Sequence, residues 1–218
     1  MNKVFTTAII LAITTVCCCS LAAQNRTILI EKLGGTWCGH CPNSSYYLDS
    51  LMDEPPKIIG VSVHSLDIMS TTYSTDIVNA YVVGFPASLV DRHKFPGEAM
   101  DVFYGDWRDL TAMRLNDSAI VNISFTHNYE PATRTLTVDI AADFIADASG
   151  DFRFNCYVVE DSITGGSQYN QSSYFNNTPG HPLNGQGNPI VGYVHNHVVR
   201  DMLGGAWGTD GIVPATVM

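Results

Sequence analysis

Charge is scarce in this 218-residue chain: only 15% of its residues are Asp, Glu, Lys or Arg. Basic residues are scarcer still, eleven against 21 acidic ones, and they form no run. A net charge of −10 with no basic cluster leaves nothing to neutralise phosphates, which argues against nucleic acid as a partner. Disorder is excluded from the other side, because 45% of the residues are hydrophobic and 10% aromatic. Beyond residue 23 no apolar stretch approaches the roughly 20 residues needed to span a bilayer. There is no internal repeat. Only one closely spaced cysteine pair stands beyond that point.

Residues 1–23 begin Met-Asn-Lys, continue apolar from Val4 to Leu21 and close on Ala22-Ala23. A short positive start, a short apolar run and small residues at its end are the pattern of an export signal, cleaved after Ala22 or Ala23. Cys17, Cys18 and Cys19, half of the six cysteines, fall inside it. The competing reading makes one of them the acylated first residue of a lipoprotein. Neither Cys17, after Thr14-Thr15-Val16, nor Cys19, after Val16-Cys17-Cys18, has the flanks that such a signal wants. The expectation is an exported protein of the periplasm, outer membrane or cell surface, with lipidation as the alternative.

The remaining chain changes period partway. Thr27–Ile30, Lys57–Val63 and Ala87–Val90 read as buried strands. Helices are expected from Tyr46 to Met52, stopped by Pro55-Pro56, over Thr75–Val82, and from Phe103 to Arg114. Alternating strands and helices indicate an α/β layer fold. From Ala119 apolar residues recur every second position: Val121, Ile123, Phe125; Leu136, Val138, Ile140; Phe152, Phe154, Cys156, Val158. That period, with turn clusters between the runs, indicates an antiparallel sandwich. Gly165–Pro189 is polar and reads as a long surface loop, followed by a strand over Ile190–Val199. We therefore expect three parts: a signal at 1–23, an α/β domain at 24–116 and an all-β, immunoglobulin-like sandwich at 117–218. Four convincing strands are fewer than such a sandwich uses, so it is incomplete or the chain stops short of its natural end.

Thr36-Trp37-Cys38-Gly39-His40-Cys41-Pro42 follows a strand and opens a helix. A thiol at a helix N-terminus is stabilised as thiolate by free N–H groups and the helix dipole, and a second cysteine one turn on can close a disulfide. A structural disulfide is the plainer reading. A zinc site commonly needs a second pair, and a c-type haem needs His directly after the second cysteine, where Pro42 stands. His40 is either a solvated helix residue or, between the cysteines, an imidazole that favours thiolate and raises oxidising power, and Trp37 either packs or forms the lip of a peptide groove.

Trp-Cys-Gly-His-Cys resembles the active-site pentapeptide of protein disulfide isomerase domains in the thioredoxin superfamily. That superfamily also places a cis-proline before a strand facing the cysteines. Gly84-Phe85-Pro86-Ala87-Ser88-Leu89-Val90-Asp91 has that form, so the resemblance implies that Pro86 is cis. More narrowly, Glu31 to Pro42, Val61-Ser62-Val63-His64, Gly84-Phe85-Pro86 through Arg92, and Tyr193-Val194-His195-Asn196-His197-Val198-Val199-Arg200 resemble the exported, thioredoxin-like family called outer membrane protein twenty-eight. It implies a thioredoxin-like domain followed by a β-sandwich. One position departs: these domains usually bury a carboxylate six residues before the first cysteine, and here that residue is Lys32, with Glu31 beside it.

The resulting expectation is a thiol–disulfide oxidoreductase acting on dithiols or disulfides of proteins or peptides. Cys38 attacks, Cys41 resolves, Gly39 and His40 tune the potential, and Pro86 with Trp37 and Phe85 forms the substrate groove. The chemistry needs no organic cofactor and no metal; a reducing direction would call for a membrane electron donor. The reading from another class is a surface-associated binding or adhesion protein whose cysteines form a structural staple. Cys156 is expected as a buried, inert thiol. His181, His195 and His197 are expected to be ordinary rather than metal ligands, and His64 to be a strand-end polar residue, with a place lining the site beside Cys38 as the alternative.

Overall fold

The computed structural model describes residues 26–54 and 58–217; the expected export signal lies outside them. The chain opens with β1 (Ile28–Gly34), α1 (Cys41–Met52) and β2 (Ile58–His64), followed by α2 (Thr72–Tyr81), β3 (Ala87–Val90) and α3 (Trp107–Leu115). Strands β1 and β2 are parallel, in register from Ile28 opposite Ile58 to Gly34 opposite His64. Strand β3 runs antiparallel along the other edge of β1. The α/β layering expected for this half is present, because β1 and β2 are buried on both faces and carry apolar residues on both.

Alternation along β1 sorts its side chains between two cores. Ile28 and Ile30 pack with Leu48 and Leu51 of α1 and with Trp107 and Leu110 of α3. Leu33 faces the opposite side, with Val61, Val63, Ile77 of α2 and Leu89. Burying each such side chain contributes about 1.5–3 kcal/mol. Trp107, 1% exposed, anchors the first core, and its indole N–H donates to the Ser88 hydroxyl. Helix α2 starts on a reciprocal cap: Ser74 N–H donates to Thr71 Oγ1 at 3.2 Å while Thr71 N–H donates to Ser74 Oγ at 3.2 Å.

The second half does not form the expected sandwich. The period-two runs at Val121 and Leu136 do form a long antiparallel hairpin, β4 (Val121–Glu130) with β5 (Thr135–Phe144). Two residues, β6 (Ala148–Ser149), pair with β9 (Thr216–Val217). The strands expected over Phe152–Val158 and Ile190–Val199 form only from Tyr157 and Val198 onward, and they pair elsewhere. β7 (Tyr157–Glu160) and β8 (Val198–Met202) join the first sheet, whose order is β3-β1-β2-β8-β7. A boundary at residues 116–118 therefore does not separate two sheets. The reason lies in β8: Val198, Val199 and Met202 are fully buried, and Val199 and Met202 complete the core beneath α2. Polar-outward alternation would have left one of those faces to solvent. Cys156, expected to be buried, is half-buried and lines an apolar cleft of about 620 Å³ over the hairpin with Phe152 and Phe154.

Candidate functional site

Cys38 sits in the turn between β1 and α1, and Cys41 is the first residue of α1; the two are joined by a disulfide. The turn is closed by Cys38 N–H donating to the Gly35 carbonyl at 3.0 Å. Gly34 must be glycine, since a Cβ there would come within 2.5 Å of Cys41 Sγ. Trp37 is fixed by its indole N–H to the Ser65 carbonyl at 2.9 Å and meets Phe85 edge-to-face at 5.1 Å. The Phe85–Pro86 peptide bond is cis. A cleft of about 450 Å³ runs past these residues, lined by His40, Gly84–Ala87 and Asp101–Tyr104. The sequence-identified residues His40, Phe85 and Pro86 thus share one groove, with Trp37 at its edge.

The segment expected to be a solvated loop packs against the cysteine turn instead. Gln171 is 3% exposed, and its amide nitrogen lies 3.0–3.2 Å from the carbonyls of Gly35, Thr36 and Cys38. Ser172 N–H donates to the Thr36 carbonyl at 2.8 Å and Tyr174 N–H to the Gly39 carbonyl at 2.9 Å. Tyr174 and Phe175 both meet the His40 ring edge-on. His181 stacks on Phe175 and its Nε2 lies 3.0 Å from Asn43 Oδ1 at the start of α1. This strap leaves Cys38 only 5% and Cys41 3% exposed. A signal for it existed in the sequence: from Gly165 to Val199 there is no Asp, Glu, Lys or Arg, which is unusual for a solvated loop and usual for a packed one.

Beneath the pair lies a cluster of buried polar groups. Asp67 Oδ2 accepts from Thr36 N–H at 2.8 Å and lies 2.7 Å from His64 Nδ1, tying the cysteine turn to the end of β2. Burial opposes the Asp67 charge, but the His64 hydrogen bond and two backbone N–H groups prevail and hold its carboxyl below the usual range. Burial pushes the His64 imidazole down, against the pull of Asp67. His195, 4% exposed, lies with Nε2 2.8 Å from the Tyr169 carbonyl, and burial pushes it down to about 4. His197 points elsewhere, between Asp49 and Asp161. His64 ends β2, as expected, and through Asp67 is also part of the frame under the cysteines.

The two candidates for the missing carboxylate separate cleanly. Glu31 faces the α2 side, where it forms a two-point pair with Arg92 at 2.7 Å and accepts from Tyr157 OH at 2.9 Å. Burial, chiefly, raises the Tyr157 phenol well above its ordinary value. Lys32 faces α1, donating to Ser45 Oγ at 2.7 Å, and burial lowers it to about 8.

Among solved structures, HBP35 of Porphyromonas gingivalis superposes with a TM-score of 0.63 at 16% sequence identity. The match covers 88% of this chain and 63% of that one, so this chain spans less than two thirds of that protein's length. No curated protein matches the chain. The model of a protein family described as Outer membrane protein Omp28 matches residues 75–216. That span is well over half of the chain and takes in the cis-proline turn, the hairpin, the strap and β8, and the chain accordingly belongs to the Omp28 family of outer membrane proteins.

Proposed function

We propose that the protein is an exported, thioredoxin-like thiol–disulfide oxidoreductase whose substrates are protein or peptide thiols and disulfides. The observation that carries this reading is the Cys38–Cys41 disulfide at the start of α1, set beside an aromatic-edged cleft containing Pro86. An incoming substrate thiolate attacks Cys38 Sγ, the disulfide opens, and Cys41 leaves with the electron pair; in the other direction Cys41 attacks and releases the substrate. The helix N-terminus favours the thiolate. His40, Phe85 and Tyr104 form the walls along which an extended substrate would lie. Export to the periplasm or outer surface fits the family, and either a free or a lipidated N-terminus fits the first residues.

The other reading is a surface-associated binding protein with a structural disulfide. What favours it is the near-complete burial of both cysteines and the apolar cleft over the hairpin. The redox behaviour of the pair separates the two. An oxidoreductase should equilibrate with glutathione, refold scrambled ribonuclease, and be trapped as mixed disulfides in a Cys41→Ala variant. A potential below about −300 mV, the range of structural disulfides, together with no turnover, would refute the oxidoreductase reading.

A further inference from the structure

The hairpin β4–β5 keeps an apolar face open to solvent. Alternation puts Val121, Ile123, Phe125 and Tyr129 of β4 on this face. The register sets Phe144, Ala142, Ile140 and Leu136 of β5 directly beside them. The face carries no Asp, Glu, Lys or Arg, and apart from the Tyr129 hydroxyl its one polar member is His127. Glu130, Asp139 and Asp143, the carboxylates of the two strands, lie on the back among Asn, Ser and Thr.

Phe125 is 67% exposed, Ile123 64%, Tyr129 53% and Leu136 42%. At about 150–250 Å² for a whole aromatic side chain, Phe125 and Tyr129 alone leave about 200–300 Å² uncovered. With Ile123, Leu136 and Ile140 the patch is on the order of 400 Å², in the range of the largest apolar patches on monomers, which are often sites of association. The base of the hairpin is packed, where Phe144 meets Phe152 at 5.4 Å. Between the face and the wall formed by Phe152 and Phe154 lies the cleft of about 620 Å³, which extends to His127 and Leu136. A two-stranded ribbon with such a face uncovered is marginal in water.

We propose that the face is covered by the same face of a second copy of this chain, the two hairpins packed in opposite directions. The shape is self-complementary: Tyr129 and Leu136 stand at the tip, and the cleft walled by Phe152 and Phe154 opens from the base. A two-fold axis near Phe125 and Ile140, which pair at the middle of the hairpin, lays each tip over the other copy's cleft. Charge points the same way. A chain of net charge −10 repels its own copies, and on this face they meet without opposing carboxylates. The area is also sufficient. Two such faces, with the half-buried Val121, Val138 and Phe144 of each, bury on the order of 1,000 Å², where specific interfaces begin. Two ribbons of the same twist then stack as sheets do, about 10 Å apart. The proposal does not rest on the oxidoreductase reading.

The test is sedimentation equilibrium of the full chain over rising concentration, which for the wild type needs no mutation; it should pass from monomer to dimer. Phe125→Asp changes a side chain that is mostly in water in the monomer, so the fold should tolerate it, as an unchanged urea midpoint of the dilute protein would check. It should raise the dissociation constant more than about tenfold, the effect of losing a central aromatic anchor. Ser124→Asp, on the back of the same strand, should leave the constant within about twofold. A wild type that is monomeric at every concentration, or a dimer equally stable in Phe125→Asp, would overturn the proposal. So would a monomer that floats with phosphatidylcholine vesicles and loses that binding in Phe125→Asp, since a bilayer would then be the occupant.

Discussion

Acid should destabilise this protein through His195, and the size of the effect follows from its surroundings. The ring is buried against Tyr193 and His64, and its Nε2 is occupied by the Tyr169 carbonyl. In the unfolded chain the imidazole takes a proton near 6.5, in the folded chain only near 4. Between those values the unfolded state binds the extra proton, so stability is complete above about pH 6.5 and is lost as pH falls toward 4. A shift of that size corresponds to about 3 kcal/mol, a large share of the 5–15 kcal/mol typical of a domain. His64, also pushed down by burial, adds in the same direction. The assay is urea denaturation at intervals from pH 4 to 8 for the wild type and His195→Gln, which keeps an N–H for Tyr169. His195→Gln should start less stable at pH 7, and its deficit should shrink by about 3 kcal/mol by pH 4. A deficit that stays constant to within about half a kcal/mol across that range would refute the assignment of a buried neutral imidazole.

Replacing Gln171 with Leu removes the donor shared by the Gly35, Thr36 and Cys38 carbonyls; we expect a loss of about 1–3 kcal/mol and faster reduction of the disulfide by dithiothreitol, read from a stopped alkylation series. Glu31→Gln leaves the Arg92 guanidinium without its two-point partner. Because Arg92 keeps about a quarter of its surface in water, the cost should fall near or below the low end of the 3–5 kcal/mol of a fully buried pair, measured as a lower urea midpoint. Gly34→Ala forces a methyl against Cys41 Sγ and should cost roughly 1–3 kcal/mol, with the largest chemical-shift changes confined to residues 34–45.

The first half of the fold was legible because local signals and tertiary need agree there. Apolar runs of strand length, separated by helical spacing and stopped by proline, gave every element from β1 to α3 to within a few residues at most ends. The second half misled because a period of two says only that a strand has unlike faces; it does not say which sheet will take it. Val198–Met202 reads equally well in a sandwich and as the strand beside β2, and only the vacant edge of β2 decides. The cysteine turn with Trp37 could be found because its chemistry is local, and Phe85 and Pro86 because their segment resembles the cis-proline turn of the thioredoxin superfamily. Gln171 could not, since its importance depends on partners more than a hundred residues away.

The strap and β8 also set an order of assembly. β1, the cysteine turn, α1 and β2 are complete by residue 64, but the groups that cover them arrive with residues 171–202. Contacts of such high sequence separation form late, because the intervening chain must be ordered first. During synthesis, then, the two thiols emerge more than a hundred residues before the segment that covers them. Until that segment is in place, Cys38 and Cys41 lack the packing that leaves them 5% and 3% exposed in the folded chain.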